Sequence, residues 1–113
     1  MSVKLTTRQV GDVTVIDVAG RITLGEGSST LRDALRDMVS KNQKKILLNL
    51  GEVSYIDSSG IATLLEVLKD SQRLKKEFVL FGLSPAVEDV FRLTHVIRIF
   101  QVLQTEQEAL GIA

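Results

Sequence analysis

Apolar and polar positions along the chain follow two alternating periods, one typical of strands and the other of helices. β-Branched residues are frequent in 3–9 and 12–20, and the two segments predict a pair of strands joined by a turn. From residue 29 to 41 apolar residues recur every three or four positions, which predicts a helix with one buried face. The segment 25-GEGSS-29 before it predicts a loop that ends in helix-capping hydroxyl groups.

The rest of the chain continues this alternation of periods. Residues 45–50 form a short, continuously apolar run, which is typical of a strand covered on both faces. Helical spacing returns from about 59 to 75, and 77–82 predicts a further strand. A helix follows, with Ser84 as its N-cap and Pro85 in its first turn, and it ends near Leu93. The last two predicted elements are a strand at 97–102 and a helix at 104–111 that ends at Gly111.

The predicted order of elements is therefore β-β-α-β-α-β-α-β-α. Strands that alternate with helices favour a largely parallel sheet covered by helices, and the N-terminal hairpin adds an antiparallel part. We predict an α/β fold with a mixed sheet of four to five strands. The 113 residues have the size of one domain, so 1–113 is expected to form a single unit.

Composition excludes several kinds of site and partner. The chain has no cysteine and one histidine, which excludes disulfides, thiolate metal sites and histidine-rich metal sites. Its 14 basic and 14 acidic residues are scattered, unlike the basic stripe of a nucleic-acid-binding protein or a polybasic membrane anchor. No apolar run approaches the roughly 20 residues of a spanning helix, and no signal-peptide pattern occurs. We expect a cytoplasmic monomer that binds neither nucleic acid nor membrane.

The segment Asp57-Ser58-Ser59-Gly60 is the most informative polar cluster. It follows an apolar strand and precedes a helix, so it is expected at the carboxyl edge of the sheet, where α/β proteins collect functional groups. One N-cap needs one oxygen acceptor, yet three candidates occur in a row. The amino end of a helix also accommodates an anion through its free N–H groups and its dipole. Plain capping and anion binding are both open at this point.

Enzymatic functions fit the sequence poorly. A serine hydrolase needs a base beside its nucleophile, but no G-x-S-x-G motif occurs, and His95 follows a helix end, where a C-terminal cap or a partly buried ring is expected. No Walker loop or G-x-G-x-x-G motif is present. A receiver domain phosphorylated on Asp57 would need a second acid beside Asp17 and a lysine after its last strand, whereas no lysine follows residue 76. We predict no catalytic residue, no cofactor and no metal ligand.

Two blocks of the sequence together resemble the anti-sigma-factor antagonists of the STAS domain family (sulfate transporter and anti-sigma antagonist). In 46-ILLNLGEVSYIDSSGIATLLEVLK-69 an apolar strand leads to a hydrophobic residue, Asp-Ser-Ser-Gly and another hydrophobic residue. The second block, 79-VLFGLSPAVEDVF-91, contains a Ser-Pro-Ala-Val turn and helix. The resemblance covers essentially the whole chain, and it implies a regulatory binding domain rather than an enzyme.

The resemblance also implies roles for individual residues. In this family the first serine after the aspartate is the phosphoacceptor, which here is Ser58. A partner that is both anti-sigma factor and serine kinase phosphorylates it, and a phosphoserine phosphatase removes the phosphate. The unphosphorylated antagonist captures the anti-sigma factor, and the phosphorylated antagonist releases it. The implied partner-binding residues are Arg21, Thr23, Asp57, Ser58, Ser59, Gly60 and Ile61.

The loop after 20-GRI-22 departs from the family pattern. Thr23 stands where many members carry an acidic residue, and this loop lies on the partner-facing side in the family. One alternative is therefore a scaffold or accessory STAS domain of a signalling or transporter complex, and a more remote one is a small-ligand or nucleotide binder. Beside the motif, Tyr55 is a candidate for either partner contact or the core, and we expect it to pack in the core with its hydroxyl at the edge. Ile61 is also a candidate for the first core residue of its helix.

Overall fold

Five strands form one sheet, and their order across the sheet is their order along the chain. The computed structural model describes residues 3–41 and 43–111. The first two strands are antiparallel, and every later neighbouring pair is parallel. The strands are β1 (Val3–Val10), β2 (Val13–Ile22), β3 (Lys45–Ile56), β4 (Glu77–Phe81) and β5 (Gln101–Leu103).

The helices lie on both faces of this sheet but unequally. Within the described residues they are α1 (Glu26–Ser40), α2 (Ser58–Arg73), α3 (Pro85–Leu93) and α4 (Glu106–Leu110), with a short 3₁₀ helix (Val96–Arg98) before β5. Right-handed crossovers that always advance to the next strand place their helices on one face. Accordingly, α1, α2 and α3 share the main core with the sheet, and α4 packs on the opposite face. The predicted fold class and order of elements are confirmed.

The apolar run at the start of β3 is buried from both sides. Ile46 and Leu48 belong to the main core, whereas Leu47 packs with Val15 in the smaller cluster beneath α4. All of these side chains are fully buried. The interpretation of 45–50 as a strand covered on both faces is confirmed.

β3 is longer than predicted, because it continues beyond residue 50 through Ile56. Its pairing with β2 shifts register twice, after Asn49 and after Val53, and each shift is a bulge in β3. Bulges interrupt the period of two, so this half of the strand carries no strand pattern in the sequence. As a result, Asp57 alone separates β3 from α2.

The start of α1 also differs from the prediction. The helix begins at Glu26, three residues earlier than 29, and no side-chain hydroxyl caps it. Gly25 occupies the N-cap position with φ 98°, a conformation that favours glycine. The predicted capping hydroxyls are elsewhere: Ser28 is buried in the first turn, and its hydroxyl donates to the Gly25 carbonyl (3.4 Å).

The chain between α3 and β5 turns more tightly than predicted. His95 follows α3 in the left-handed conformation (φ 63°), its N–H donates to the Arg92 carbonyl (3.1 Å), and its ring is exposed. The 3₁₀ helix then takes up the first part of the predicted strand 97–102. The strand starts only at Gln101, and its three residues all pair with β4.

Candidate functional site

The Asp57 turn joins the carboxyl end of β3 to the amino end of α2. The Asp57 N–H donates to the carbonyl of Ile22, the last residue of β2 (3.1 Å). Because β2 and β3 are parallel, the loop at residues 23–25 starts from the same edge of the sheet. The turn and the loop therefore form one continuous surface at the edge where α/β proteins place functional groups.

The Asp57 carboxylate caps α2 and also holds the neighbouring loop. Its Oδ1 accepts the N–H groups of Ser59 (2.9 Å) and Gly60 (3.2 Å), and the Ser59 hydroxyl donates to the same oxygen (2.5 Å). Its Oδ2 accepts the N–H of Leu24 (3.0 Å). Asp57 is therefore the N-cap of α2, as the capping interpretation predicted, and in addition it bridges to the loop before α1.

The same hydrogen bonds keep Asp57 ionised. Burial of the carboxylate disfavours its charged form. The hydrogen bonds from the Ser59 hydroxyl and from three backbone N–H groups outweigh burial, and they hold the pKa of Asp57 below its ordinary value. A negative charge therefore lies next to Ser58 at neutral pH.

The two serines of the motif have different environments. Ser59 is partly buried, and its hydroxyl is bound to Asp57. Ser58 is the first residue of α2 and is exposed, and its hydroxyl forms no hydrogen bond within residues 3–41 and 43–111. Ser59 thus completes the cap, and Ser58 offers an accessible hydroxyl.

Gly60 and Ile61 face the interior of the fold. Ile61 is 7% exposed and belongs to the main core, in agreement with its alternative interpretation as the first core residue of the helix. A Cβ atom on Gly60 would lie 2.7 Å from side-chain atoms of Ile22 and of Ile56. Glycine therefore lets α2 approach the strands closely. Both residues position α2 against the sheet, and their contact with a partner stays a prediction.

Arg21 and Tyr55 form a stacked pair at the same edge of the sheet. They are partners in the β2–β3 ladder, and the Arg21 guanidinium carbon lies 4.7 Å from the centroid of the Tyr55 ring. Tyr55 is 41% exposed, so its predicted place in the core is wrong. After the second bulge in β3, the neighbouring Ile56 points into the core and Tyr55 points away from it.

Thr23 and Leu24 begin the loop between β2 and α1. Thr23 is half-buried, and its carbonyl accepts the N–H of Ser28 in the first turn of α1 (2.9 Å). The Leu24 side chain is 80% exposed. The position of Leu24 could not be predicted from the sequence, because one leucine beside a glycine carries no pattern, and its hydrogen-bond partner lies 33 positions away.

Other features of the surface lie away from this turn. A pocket of about 460 Å³ opens at the carboxyl end of β4, and its lining includes Leu83, Phe100 and Val102 but no residue of the Asp57 turn. In the described part of the chain, no group of three or more His, Cys, Asp or Glu side chains could hold a metal ion. No helix in the same part is long and apolar enough to cross a membrane.

Comparison with known proteins identifies the family. The sequence model of the STAS domain family matches residues 4–109 of this chain. The chain belongs to the STAS domain family. An anti-sigma-B factor antagonist from Listeria monocytogenes is 28% identical over 98% of this chain and 96% of its own length. Over almost its whole length, the chain is thus similar to a protein named as an anti-sigma factor antagonist.

Solved structures share the fold over nearly the whole chain. An anti-sigma factor antagonist from Mycobacterium paratuberculosis has a TM-score of 0.87 at 20% identity and covers 97% of this chain and 92% of that one. The anti-sigma factor antagonist SpoIIAA in its unphosphorylated form has a TM-score of 0.78 at 21% identity. The match covers 95% of this chain and 93% of SpoIIAA. SpoIIAA of Bacillus in its phosphorylated form has a TM-score of 0.73 at 20% identity. That match covers 96% of this chain and 97% of the SpoIIAA chain. The resemblance stated from the sequence is confirmed.

Proposed function

We propose that this STAS domain is a phosphorylation-controlled antagonist of an anti-sigma factor in the cytoplasm. In its unphosphorylated form it captures an anti-sigma factor that is also a serine kinase. Phosphorylation of Ser58 releases that partner, and a phosphoserine phosphatase restores the binding form. The observation that carries the proposal is the exposed Ser58 hydroxyl, which stands beside a helix cap that Asp57 and Ser59 complete without it.

A phosphate on Ser58 is compatible with the fold. It adds about −1.5 to −2 charges at neutral pH. The amino end of α2 favours an anion by about 0.3–1 kcal/mol, whereas the adjacent Asp57 carboxylate repels it. These opposing contributions leave a small net effect, so we expect the fold to persist. SpoIIAA, which has this fold, is known in both forms, and that supports the expectation.

The large effect of the phosphate is expected at the interface with the partner. Leaving an unpaired charge buried in an interface costs about 2–5 kcal/mol. Since each 1.4 kcal/mol is a factor of ten, phosphorylation is expected to weaken capture by about 30-fold to several-thousand-fold. Binding is therefore switched while folding is not.

Mass spectrometry after incubation with kinase and ATP tests the assignment of Ser58. Each anti-sigma-factor kinase of the source organism is purified and mixed with the wild type, with Ser58→Ala and with Ser59→Ala. We expect phosphate on Ser58 in the wild type and in Ser59→Ala, and none in Ser58→Ala. Phosphate that persists in Ser58→Ala would overturn the assignment.

The affinity of Ser58→Asp for the same kinases separates a switch from a constitutive scaffold. We expect weaker capture together with a native circular dichroism spectrum, because the change adds charge at an exposed position. Unchanged capture would favour the scaffold or accessory STAS domain instead. Loss of the native spectrum would show that Ser58 has a structural role.

A further inference from the structure

Leu24 presents a large apolar side chain to solvent beside the proposed phosphorylation site. It is 80% exposed, and among the described large hydrophobic residues only Leu93 equals it. Full burial of a leucine side chain is favourable by about 1.5–3 kcal/mol. Because Leu24 is mostly exposed, most of this favourable free energy can still be gained when another protein covers it.

Three backbone features hold the loop around Leu24 in place. The Leu24 N–H is bound to Asp57 Oδ2 (3.0 Å), and the Thr23 carbonyl accepts the N–H of Ser28 (2.9 Å). Gly25 then turns the chain directly into α1. A side chain on an ordered backbone loses less conformational entropy on binding than one on a mobile loop. Leu24 is thus preorganised for burial.

Asp57 joins the backbone of Leu24 to the turn that carries Ser58. One oxygen of the Asp57 carboxylate binds the Leu24 N–H, and the other binds the N–H groups of Ser59 and Gly60 in the first turn of α2. The exposed Leu24 therefore belongs to a loop that is fixed directly to the residue before Ser58.

Arg21 and Tyr55 add a cation and an aromatic ring at this edge of the sheet. Both residues are exposed, and they stack on each other. Arg21 forms no salt bridge with any residue that the structure describes. Tyrosine and arginine are enriched among the residues that dominate binding energy at interfaces. The unpaired guanidinium suits a partner that presents a carboxylate.

We propose that Leu24 is the apolar anchor of the antagonist interface, buried in a hydrophobic pocket of the anti-sigma factor. Tyr55 packs at the rim of that pocket, and a partner carboxylate pairs with Arg21. This inference rests on the proposed function, because it names how the same surface holds its partner. It also adds a reason for release, since a phosphate on Ser58 and the partner carboxylate repel each other.

A matched pair of leucine variants tests the anchor. Leu24→Ala and Leu93→Ala remove the same group at equal exposure. Leu93 is the last residue of α3, which starts at the carboxyl edge of the sheet and runs toward the opposite edge, so Leu93 lies away from the Asp57 turn. Titration calorimetry with each purified anti-sigma-factor kinase, without ATP, measures their affinities. We expect Leu24→Ala to bind about 30-fold more weakly or worse, and Leu93→Ala to stay within about twofold of the wild type. The melting temperatures of both should equal that of the wild type.

The wild type and Ser58→Asp in the same titration distinguish two kinds of failure. If Ser58→Asp binds weakly while Leu24→Ala binds like the wild type, the anchor is overturned and the switch stands. If the wild type binds none of the kinases, the proposed function and the anchor both fail. Equal losses for Leu24→Ala and Leu93→Ala would also overturn the anchor, because the effect would not belong to this surface.

Discussion

The Asp57 carboxylate accepts the Leu24 N–H at 3.0 Å and so connects two residues that lie 33 positions apart in the sequence. This hydrogen bond ties the loop before α1 to the turn before α2. The other carboxylate oxygen caps α2. One side chain thus has two roles, and because each role uses its own oxygen, the two can be separated experimentally.

We expect Asp57→Asn to keep α2 capped but to release Leu24. Asparagine is as good an N-cap as aspartate, whereas its amide nitrogen donates hydrogen bonds and cannot accept the Leu24 N–H. Loss of one hydrogen bond, worth about 1 kcal/mol, should speed exchange of the Leu24 amide hydrogen by about fivefold. Residue-resolved hydrogen exchange by NMR measures this, with the Gly60 amide as the internal control. Unchanged protection at Leu24, or equal loss at Gly60, would contradict the separation of roles.

The Arg8 guanidinium joins β1 to β2 and to α4. Its Nε lies 2.7 Å from Asp17 Oδ2, and its Nη2 lies 2.5 Å from Glu106 Oε1. These hydrogen bonds hold the pKa of both carboxyls below their ordinary values. Carboxyls with a lowered pKa in the folded state stabilise it fully above their unfolded values of about 4, and that contribution is lost as the pH falls through the folded values.

We therefore expect the free energy of unfolding to decrease below about pH 4.5 and to decrease less steeply in Arg8→Met. Urea unfolding at a series of pH values from neutral to acidic gives both curves. Arg92→Met is the control. Among the described residues Arg92 pairs with Glu88 alone, on the surface of α3, where an ion pair contributes little. The same steepness in Arg8→Met as in Arg92→Met would contradict the assigned role of Arg8.

Lys75 follows α2 in a conformation that suits glycine better. Its φ is 60°, its N–H donates to the Gln72 carbonyl (3.1 Å), and the next N–H, of Lys76, donates to the Ser71 carbonyl (2.8 Å). This is the Schellman pattern of helix ends. We expect Lys75→Gly to raise the free energy of unfolding by about 0.5–1 kcal/mol, because lysine strains the left-handed conformation.

Urea unfolding with Lys69→Gly as the partner variant checks the Lys75 prediction. Lys69 is exposed within α2, where glycine should lower the free energy of unfolding by about 1 kcal/mol. Opposite signs for the two lysine-to-glycine changes are expected. A loss of stability in both would show that the conformation at Lys75 is not strained.

Gly60→Ala should destabilise the protein although alanine favours helices. The added Cβ atom would lie 2.7 Å from side-chain atoms of Ile22 and Ile56. Overpacking of this kind costs about 1–3 kcal/mol. Chemical unfolding measures the loss, and Ser58→Ala, two residues earlier on the exposed surface, should change stability by less than about 0.5 kcal/mol. A stability of Gly60→Ala equal to that of the wild type would mean that α2 can move away from the strands.

Much of the fold could be predicted because its determinants are local. The continuous apolar run at Ile46–Leu48 indicated burial on both faces, which the two clusters confirm. The Ser84–Pro85 pair correctly marked the start of α3, where the Ser84 hydroxyl accepts the Val87 N–H (3.3 Å). Gly111 follows α4 in the left-handed conformation (φ 75°), as expected of a residue that stops a helix.

Other features required the folded chain. The bulges in β3 follow from its pairing with β2, so residues 51–56 do not show the alternation of apolar and polar positions that predicts a strand. The inward position of Gly60 depends on how closely α2 packs on the strands, which a local motif does not specify.

The sequence by itself determined the alternation of strands and helices and a polar cap for α2 within residues 57–59, because periodicity and capping act over a few residues. The family resemblance made Ser58 the candidate phosphoacceptor. Only the tertiary structure decided that Ser59 is engaged while Ser58 is free, that Tyr55 is exposed, and that Leu24 is held beside them. The position of Leu24 and the exposure of Tyr55 depend on the pairing of β2 with β3, and the state of the two serines depends on how the folded turn orients the Asp57 carboxylate. Pairing of these strands brings residues more than 30 positions apart into contact.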